Sequence, residues 1–219
     1  MQIDFFDKQG LTLKTEKDII AQGYSAVVGL DEVGRGALAG PVVAAAVSLD
    51  KSFLNKKIPS SLSRVRDSKK LSAKQREEIA RTAEQLESIT YALGAVSEKI
   101  IDQTDILTAT KKAMIKALNR LSVNSFFIVV DGNFSLPTQR PQASYPQADS
   151  YVFSVALASI IAKVYRDQLM VEYSHKFPGY YFECHKGYAT RLHYQSIAQL
   201  GPCAIHRRSF RLTGAWQKD

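Results

Sequence analysis

Hydrophobic residues fall into blocks along the chain, and their spacing changes from block to block. Tyr24 to Leu30 and Pro41 to Leu49 are dense in Val and Ala and are predicted as two buried strands, joined by DEVGRGALAG. Ser72 stands where an N-cap belongs, with Glu77 and Glu78 following, which predicts a helix to about Glu87. Ile89 to Val96, ITYALGAV, is predicted as a third strand. Between Thr104 and Leu121 the apolar residues Ile106, Leu107, Ala109, Ala113, Met114, Ala117, Leu118 and Leu121 mark one face of an amphipathic helix. Phe126 to Val130 is a short all-apolar strand ending on Asp131-Gly132. Asn133 to Gln147, with prolines at 137, 141 and 146, is expected to be a loop. Val152 to Val164 is apolar nearly all round, as a buried helix should be, and Ala189 to Leu200 is a further helical candidate before the basic stretch His206 to Arg211. With no internal repeat or low-complexity tract, the pattern predicts one α/β domain over residues 1–219. About 1–20 would be a peripheral N-terminal segment and about 175–219 a helical C-terminal region.

Composition narrows the class. At 219 residues the chain can bury a substantial core, and 45% hydrophobic with 23% charged residues is ordinary for a globular protein. No stretch approaches the roughly 20 apolar residues that cross a bilayer. The opening MQIDFFDKQG lacks the layout of a signal peptide, so a cytoplasmic location without membrane attachment is expected. Two cysteines, Cys184 and Cys203, are too few for a disulfide framework or a zinc site and should be free thiols. Cys184 and His185 are adjacent in sequence, and such neighbours rarely face each other as a catalytic pair. The formal charge of +8 and pI near 9.4 favour a polyanionic partner. Lys56, Lys57, Arg64, Arg66, Lys69, Lys70, Lys74 and Arg76 crowd one segment. Such a run is commonly just a solvated face, but here it also carries the turn DSKKLS.

The chemistry concentrates in VVGLDEVGRGALAGPVVAAAV, Val27 to Val47, where Asp31 and Glu32 end an apolar run. Adjacent carboxylates at the end of a buried strand are costly unless something pairs with them. A divalent cation such as Mg²⁺ removes that cost, because hard cations take carboxylate oxygens. Gly34 and Gly36 allow close backbone approach to a ligand; an ordinary charged hairpin turn is the plainer explanation for the same residues. Asp131 ends its own strand, and Asp149 stands before the buried helix, where it could simply be an N-cap. All four acids flank core elements, so a compact sheet could gather them, and four acids at one point call for about two divalent ions. A pair roughly 3.5–4 Å apart is the arrangement that hydrolyses phosphodiesters. Side chains alternate along a strand, so Asp31 and Glu32 can both contribute only at a strand end or a bulge.

These blocks resemble bacterial ribonuclease HII, the type 2 ribonuclease H family. The resemblance rests on GLDEVGRGALAGPVVAAAV (29–47), DSKKLS (67–72), VVDG (129–132), ALASIIAKVYRD (156–167), HKGYAT (185–190) and GPCAIHRRSF (201–210), in family order. It implies a ribonuclease H-like fold, a mixed five-stranded sheet flanked by helices with a helical C-terminal region. It also implies endonucleolytic hydrolysis of RNA paired to DNA, leaving a 3′-hydroxyl and a 5′-phosphate, with incision 5′ of single ribonucleotides in duplex DNA. By the same resemblance Asp31, Glu32, Asp131 and Asp149 are the ligands of two ions, Mn²⁺ or Mg²⁺, and Gly34, Arg35 and Gly36 contact the ribose 2′-hydroxyl. Tyr188 would stack on the neighbouring sugar, where a tyrosine packed in the core is the plainer alternative. Ser68, Lys69 and Lys70 would contact phosphates. Lys163 and Arg166, one helical turn apart, either face the nucleic-acid backbone or form ion pairs. Two positions depart from the family pattern: Ala148 stands where glycine usually precedes the fourth acid, and Leu157 where a small residue is usual. A monomer is expected.

Three alternatives are weighed against this reading. A ribonuclease HIII would need an additional N-terminal domain, for which the strand bearing Asp31 starts too early. A non-catalytic nucleic-acid binder on the same scaffold would be expected to lose acids, and all four are present. Nucleotide phosphoryl transfer lacks its GK[ST] phosphate loop.

Overall fold

The computed structural model describes residues 10–124 and 126–213, with backbone only for 66–69. Five strands form one mixed sheet: β1 (Ala26–Val33), β2 (Val42–Asp50), β3 (Ile89–Val96), β4 (Phe126–Asp131) and β5 (Gln142–Tyr145), in spatial order β3-β2-β1-β4-β5. β1 runs antiparallel to β2 and parallel to β4, and β5 extends the parallel side. Every residue of β2 from Val42 to Leu49 is buried, since helices cover both faces of the sheet.

Eight α-helices accompany these strands among the described residues: α1 (Lys14–Ala21), α2 (Lys51–Leu54), α3 (Ala73–Glu84), α4 (Glu98–Gln103), α5 (Ile106–Leu118), α6 (Phe153–Lys176), α7 (Phe182–His185) and α8 (Arg191–Leu200). Strand alternation divides the core. Val28, Leu30, Ile128 and Val130 pack with Ala113, Met114 and Ala117 of α5, whereas Val27 and Val129 pack with Val155 of α6. Two glycines mark the close approaches. A Cβ on Gly29 would lie 2.4 Å from the Ser154 carbonyl carbon on α6, and one on Gly94 would lie 2.1 Å from the Ala113 oxygen on α5.

Local chemistry sets the boundaries. Ser72 caps α3 in a reciprocal box with Gln75, as its position foretold. Asp105 accepts from the Leu107 and Thr108 N–H groups, so the predicted 104–121 helix begins instead at Ile106, behind the separate α4. α6 extends well past Val164, because residues 162, 166 and 170 continue to bury one face after the all-round apolar pattern ends. The proline loop also contains a strand: β5 is a short, half-buried edge strand, and the Pro141 oxygen beside it accepts from the Ile128 N–H at 2.9 Å. Asp149 is not the cap of α6. It lies in a 3₁₀ turn, Ala148–Ser150, and the N-cap position is Val152, which offers no side-chain acceptor. That acceptor comes from α1, where the buried Glu16 Oε1 takes the Ser154 N–H at 2.8 Å and the Ser154 hydroxyl at 3.0 Å.

Candidate active site

Asp31 and Glu32 occupy the end of β1 asymmetrically. Pairing with β2 continues in unbroken register through Val33, but pairing with β4 stops at Leu30 opposite Val130. On the β4 side the two acids therefore stand at an open strand end, with Asp131 at the end of the neighbouring parallel strand. Asp31 accepts from the Glu32 N–H at 2.7 Å and from the Ser159 hydroxyl on α6. Burial, then the charges of Glu32 and Asp131, push the Asp31 carboxyl well above its ordinary range. Burial also raises Glu32, against the pull of Arg35, whose Nη1 donates to Glu32 Oε1 at 3.3 Å. Glu32 Oε2 is buried with no partner.

Asp131 Oδ1 accepts from the Ala148 N–H at 2.8 Å, which ties the turn carrying Asp149 to the β4 end. The left-handed angle in this turn falls on Gln147, φ 63°, so Ala148 needs no glycine there. Asp149 Oδ1 accepts from the Ser150 hydroxyl at 3.3 Å. Leu157, the other departure, is wholly buried in the core between α6 and the sheet. Among the described residues no three His, Cys, Asp or Glu side chains are grouped so as to hold one ion by themselves. The donor set nevertheless fits hard divalent cations. It is all carboxylate, it contains a buried unpartnered oxygen, and burial together with neighbouring negative charge pushes the Asp31 and Glu32 carboxyls up, a cost that a cation would relieve. Such ions commonly take only one or two protein carboxylates and complete their shell with water and substrate phosphate.

Beside the acids, residues 34–41 form a turn held from beneath by two wholly buried arginines. Arg207 donates Nε to the Gly40 oxygen at 3.0 Å, Nη1 to the Arg35 oxygen at 2.8 Å and Nη2 to the Gly34 oxygen at 2.7 Å. Arg166 donates to the oxygens of Pro41, Lys186 and Ala39 at 3.1, 2.9 and 3.1 Å. Gly34, φ +91°, has no room for a side chain, because its Cβ would lie 2.2 Å from Arg166 Nε. Gly36 differs: its φ is ordinary and a Cβ would meet nothing within 4 Å. Arg35 and Gly36 are exposed.

The turn also pairs with the HKGYAT segment, through an Ala37–Tyr188 bridge and a bond from the Leu38 N–H to the Gly187 oxygen at 2.8 Å. Tyr188 is half-buried, with the Arg166 guanidinium 5.2 Å from its ring centre and Lys163 Nζ 5.9 Å away. Three buried histidines support this segment. His193 Nδ1–H donates to the Tyr188 oxygen at 2.9 Å, and its Nε2 accepts from His206 Nε2–H at 3.1 Å. His206 Nδ1 accepts the Cys203 N–H at 2.9 Å, and His185 Nδ1 accepts the Gly187 N–H at 3.2 Å. These partners fix one neutral tautomer in each ring.

The predicted residues therefore divide. Asp31, Glu32 and Asp131 are electrostatically coupled, and the Ala148 N–H ties the turn that bears Asp149 to Asp131. Arg166 is a correction: it is buried and spent on main-chain carbonyls, so it does not face a nucleic-acid backbone, and it forms no ion pair among the described residues. Lys163 forms the ion pair, with Asp167 at 2.7 Å. Lys70 is exposed at the end of the 3₁₀ segment Ser60–Lys70, while the side chains of Ser68 and Lys69 lie outside the described residues. Cys184 is exposed and His185 buried, and both cysteines are free thiols. Sequence reasoning missed Arg207, Glu16 and Ser159. Arg207 and Ser159 lay inside the quoted GPCAIHRRSF and ALASIIAKVYRD blocks, and Glu16 lay outside all of them.

The mixed sheet, with carboxylates gathered where its parallel strands β1 and β4 end, defines a protein of the ribonuclease H-like fold. Solved structures agree. Ribonuclease HII of Archaeoglobus fulgidus, determined in complex with PCNA, superposes with a TM-score of 0.70 at 25% identity over 88% of this chain and 97% of that one. A Bst ribonuclease HIII in complex with Mn²⁺ shares the fold at 19% identity and TM-score 0.64, over 87% of this chain and 68% of that one. The chain belongs to the ribonuclease HII family: the family model Ribonuclease HII matches residues 28–213. Ribonuclease HII of Geobacter metallireducens is 42% identical over 213 residues, covering 96% of each chain. The protein is accordingly an endoribonuclease of the ribonuclease H2 type, acting on nucleic acid.

Proposed function

We propose that this enzyme hydrolyses the RNA strand of RNA–DNA hybrids and incises 5′ of single ribonucleotides in duplex DNA, serving ribonucleotide and RNA-primer removal in replication and repair. Asp31, Glu32, Asp131 and Asp149 would hold two divalent ions, Mn²⁺ or Mg²⁺. The observation that carries this is the buried, unpartnered Glu32 Oε2 within a group of coupled carboxylates at the ends of β1 and β4. When bound, divalent ions supply an activated water and charge neutralisation at the leaving oxygen. The water oxygen forms the new bond to phosphorus while the bond to the 3′-oxygen breaks, leaving a 3′-hydroxyl and a 5′-phosphate.

The protein's part is placement. Arg35 and Gly36 expose main-chain groups able to reach a ribose 2′-hydroxyl, the group that separates RNA from DNA. Half-buried Tyr188 would stack on the adjoining sugar, and Lys70 with Ser68 and Lys69 would meet backbone phosphate. Lys163, beside Tyr188, would do the same on exchanging its Asp167 partner for phosphate. We place the enzyme in the cytoplasm as a monomer. No described helix is long and apolar enough to cross a membrane.

The test uses a DNA duplex with one internal ribonucleotide, an all-DNA duplex and a continuous hybrid, each with Mg²⁺, Mn²⁺ or chelator. A metal-dependent cut just 5′ of the ribonucleotide, with the DNA control intact, is expected. Cutting of the continuous hybrid alone would remove the 2′-hydroxyl and Tyr188 assignments while leaving the nuclease in place.

A further inference from the structure

We propose that Arg207, which touches no substrate, is a positioning residue for ribose recognition: by holding the Gly34 and Arg35 carbonyls inward, it turns the N–H groups of Arg35 and Gly36 outward as oriented donors or contact points. This rests on the reading that the 34–36 turn meets the 2′-hydroxyl.

The geometry follows from the peptide unit, in which C=O and N–H point in opposite directions across a planar bond. The Gly34 oxygen and the Arg35 N–H belong to one peptide, and the Arg35 oxygen and the Gly36 N–H to the next. Both oxygens accept from the same guanidinium, at 2.7 and 2.8 Å, so both N–H groups must face away from it, toward the exposed side of the turn. Neither N–H has a partner among the described residues. Carbonyls that accept from a charged donor are polarised, which strengthens the N–H on the same peptide. Arg207 is itself fixed. Its own N–H donates to the Leu38 oxygen at 2.9 Å, and the Asp102 carboxylate takes the next two main-chain N–H groups at 2.8 and 2.9 Å. The planar five-donor fork of arginine can serve three carbonyls at once, which lysine cannot reproduce.

The experiment measures binding in an Asp131→Asn background, where cleavage is removed, using a duplex with one ribonucleotide and its all-DNA counterpart. The parent should prefer the ribonucleotide duplex. Arg207→Lys should reduce that preference by about tenfold, the worth of one or two well-oriented hydrogen bonds, with all-DNA binding within twofold of the parent. A parent without preference would overturn the ribose reading of the turn, and the inference with it. A parent that prefers ribonucleotide while Arg207→Lys keeps the same preference would overturn the inference alone, as would equal weakening on both duplexes. Should Arg207→Lys not fold, the Arg207 Nε–H resonance in the Asp131→Asn protein serves instead. It should shift with the ribonucleotide duplex and not with all-DNA; identical shifts with both would overturn the proposal.

Discussion

The molecule buries charge in two adjoining places and treats it in opposite ways. Under the 34–41 turn, Arg166 and Arg207 are wholly buried, yet each gives three hydrogen bonds to main-chain carbonyls. At the ends of β1 and β4, Asp31 and Glu32 are driven up by burial, repel neighbouring carboxylates, and leave Glu32 Oε2 without a partner. Isolated buried charge costs far more than one hydrogen bond returns, so it must be compensated from somewhere. The arginines are compensated from inside the fold, whereas the Asp31 and Glu32 carboxylates are not fully compensated by it.

The contrast is broken first at the carboxylates. Asp131→Asn should lower cleavage by at least about 10³-fold, in line with loss of a group that acts only through the assembled site. Its metal-free thermal midpoint should hold or rise, because a repelling charge is gone while Oδ1 can still accept from the Ala148 N–H. Cleavage near the parental rate would remove Asp131 from the site. Arg166→Met should do the reverse to the fold, leaving the oxygens of Ala39, Pro41 and Lys186 unpaired at a cost of about 3–5 kcal/mol. A denaturation midpoint unchanged from the parent would show that the carbonyls find water instead.

The same contrast recurs two residues apart in the glycines. Gly34→Ala forces a Cβ into Arg166 at φ +91° and should cost stability by about 2 kcal/mol or more. Gly36→Ala has open space and an ordinary φ, so its unfolding midpoint should match the parent. The same methyl group would stand on the exposed face of the turn, and incision at a lone ribonucleotide should fall about tenfold or more, as for a small misplacement of substrate. Equal effects of both substitutions on stability would mean that the glycines share one structural role.

What the sequence makes legible follows from how local the physics is. β3 lies at its predicted bounds, and Ser72 caps its helix, because alternation and capping are decided within a few residues. Asp31, Glu32 and Asp131 stood out because charge ending an apolar run is costly wherever the chain goes next. β5 escaped notice because four residues between two prolines, alternating only Gln-Ala-Ser-Tyr, are too short and too weakly apolar to stand out; the β4 edge makes them a strand. Arg207 and Glu16 escaped because their partners lie more than 130 positions away in sequence and are mostly main-chain groups, which no side-chain pattern records. For Asp149 the structure removes only the plainer alternative, an N-cap, since the acid that caps α6 arrives from α1.

Glu16 gives the smallest and sharpest test, because it is a buried carboxylate treated partly in each way: Oε1 is bonded to Ser154 and Oε2 has no partner. Burial raises it from an ordinary 4.5 to about 7, against the lowering effect of its bonds to Ser154. The folded state then holds one more proton than the unfolded state between those values, so this contribution to stability is full below 4.5 and is lost as pH rises through about 7. His193 and His206 act oppositely. Burial lowers both from 6.5 to about 4, so their contribution is full above 6.5 and is lost as pH falls toward 4. Near pH 5.5 the two histidines outweigh the one carboxylate. Replacing Glu16 by Gln removes the opposing proton, so stability measured from pH 5 to 6.5 should rise with pH more steeply than in the parent by about 1.4 kcal/mol per unit. The comparison cancels every other titrating group common to both proteins. Equal slopes would mean that Glu16 is ionised in the fold as well, its charge held by the N-terminal end of α6 rather than neutralised by burial.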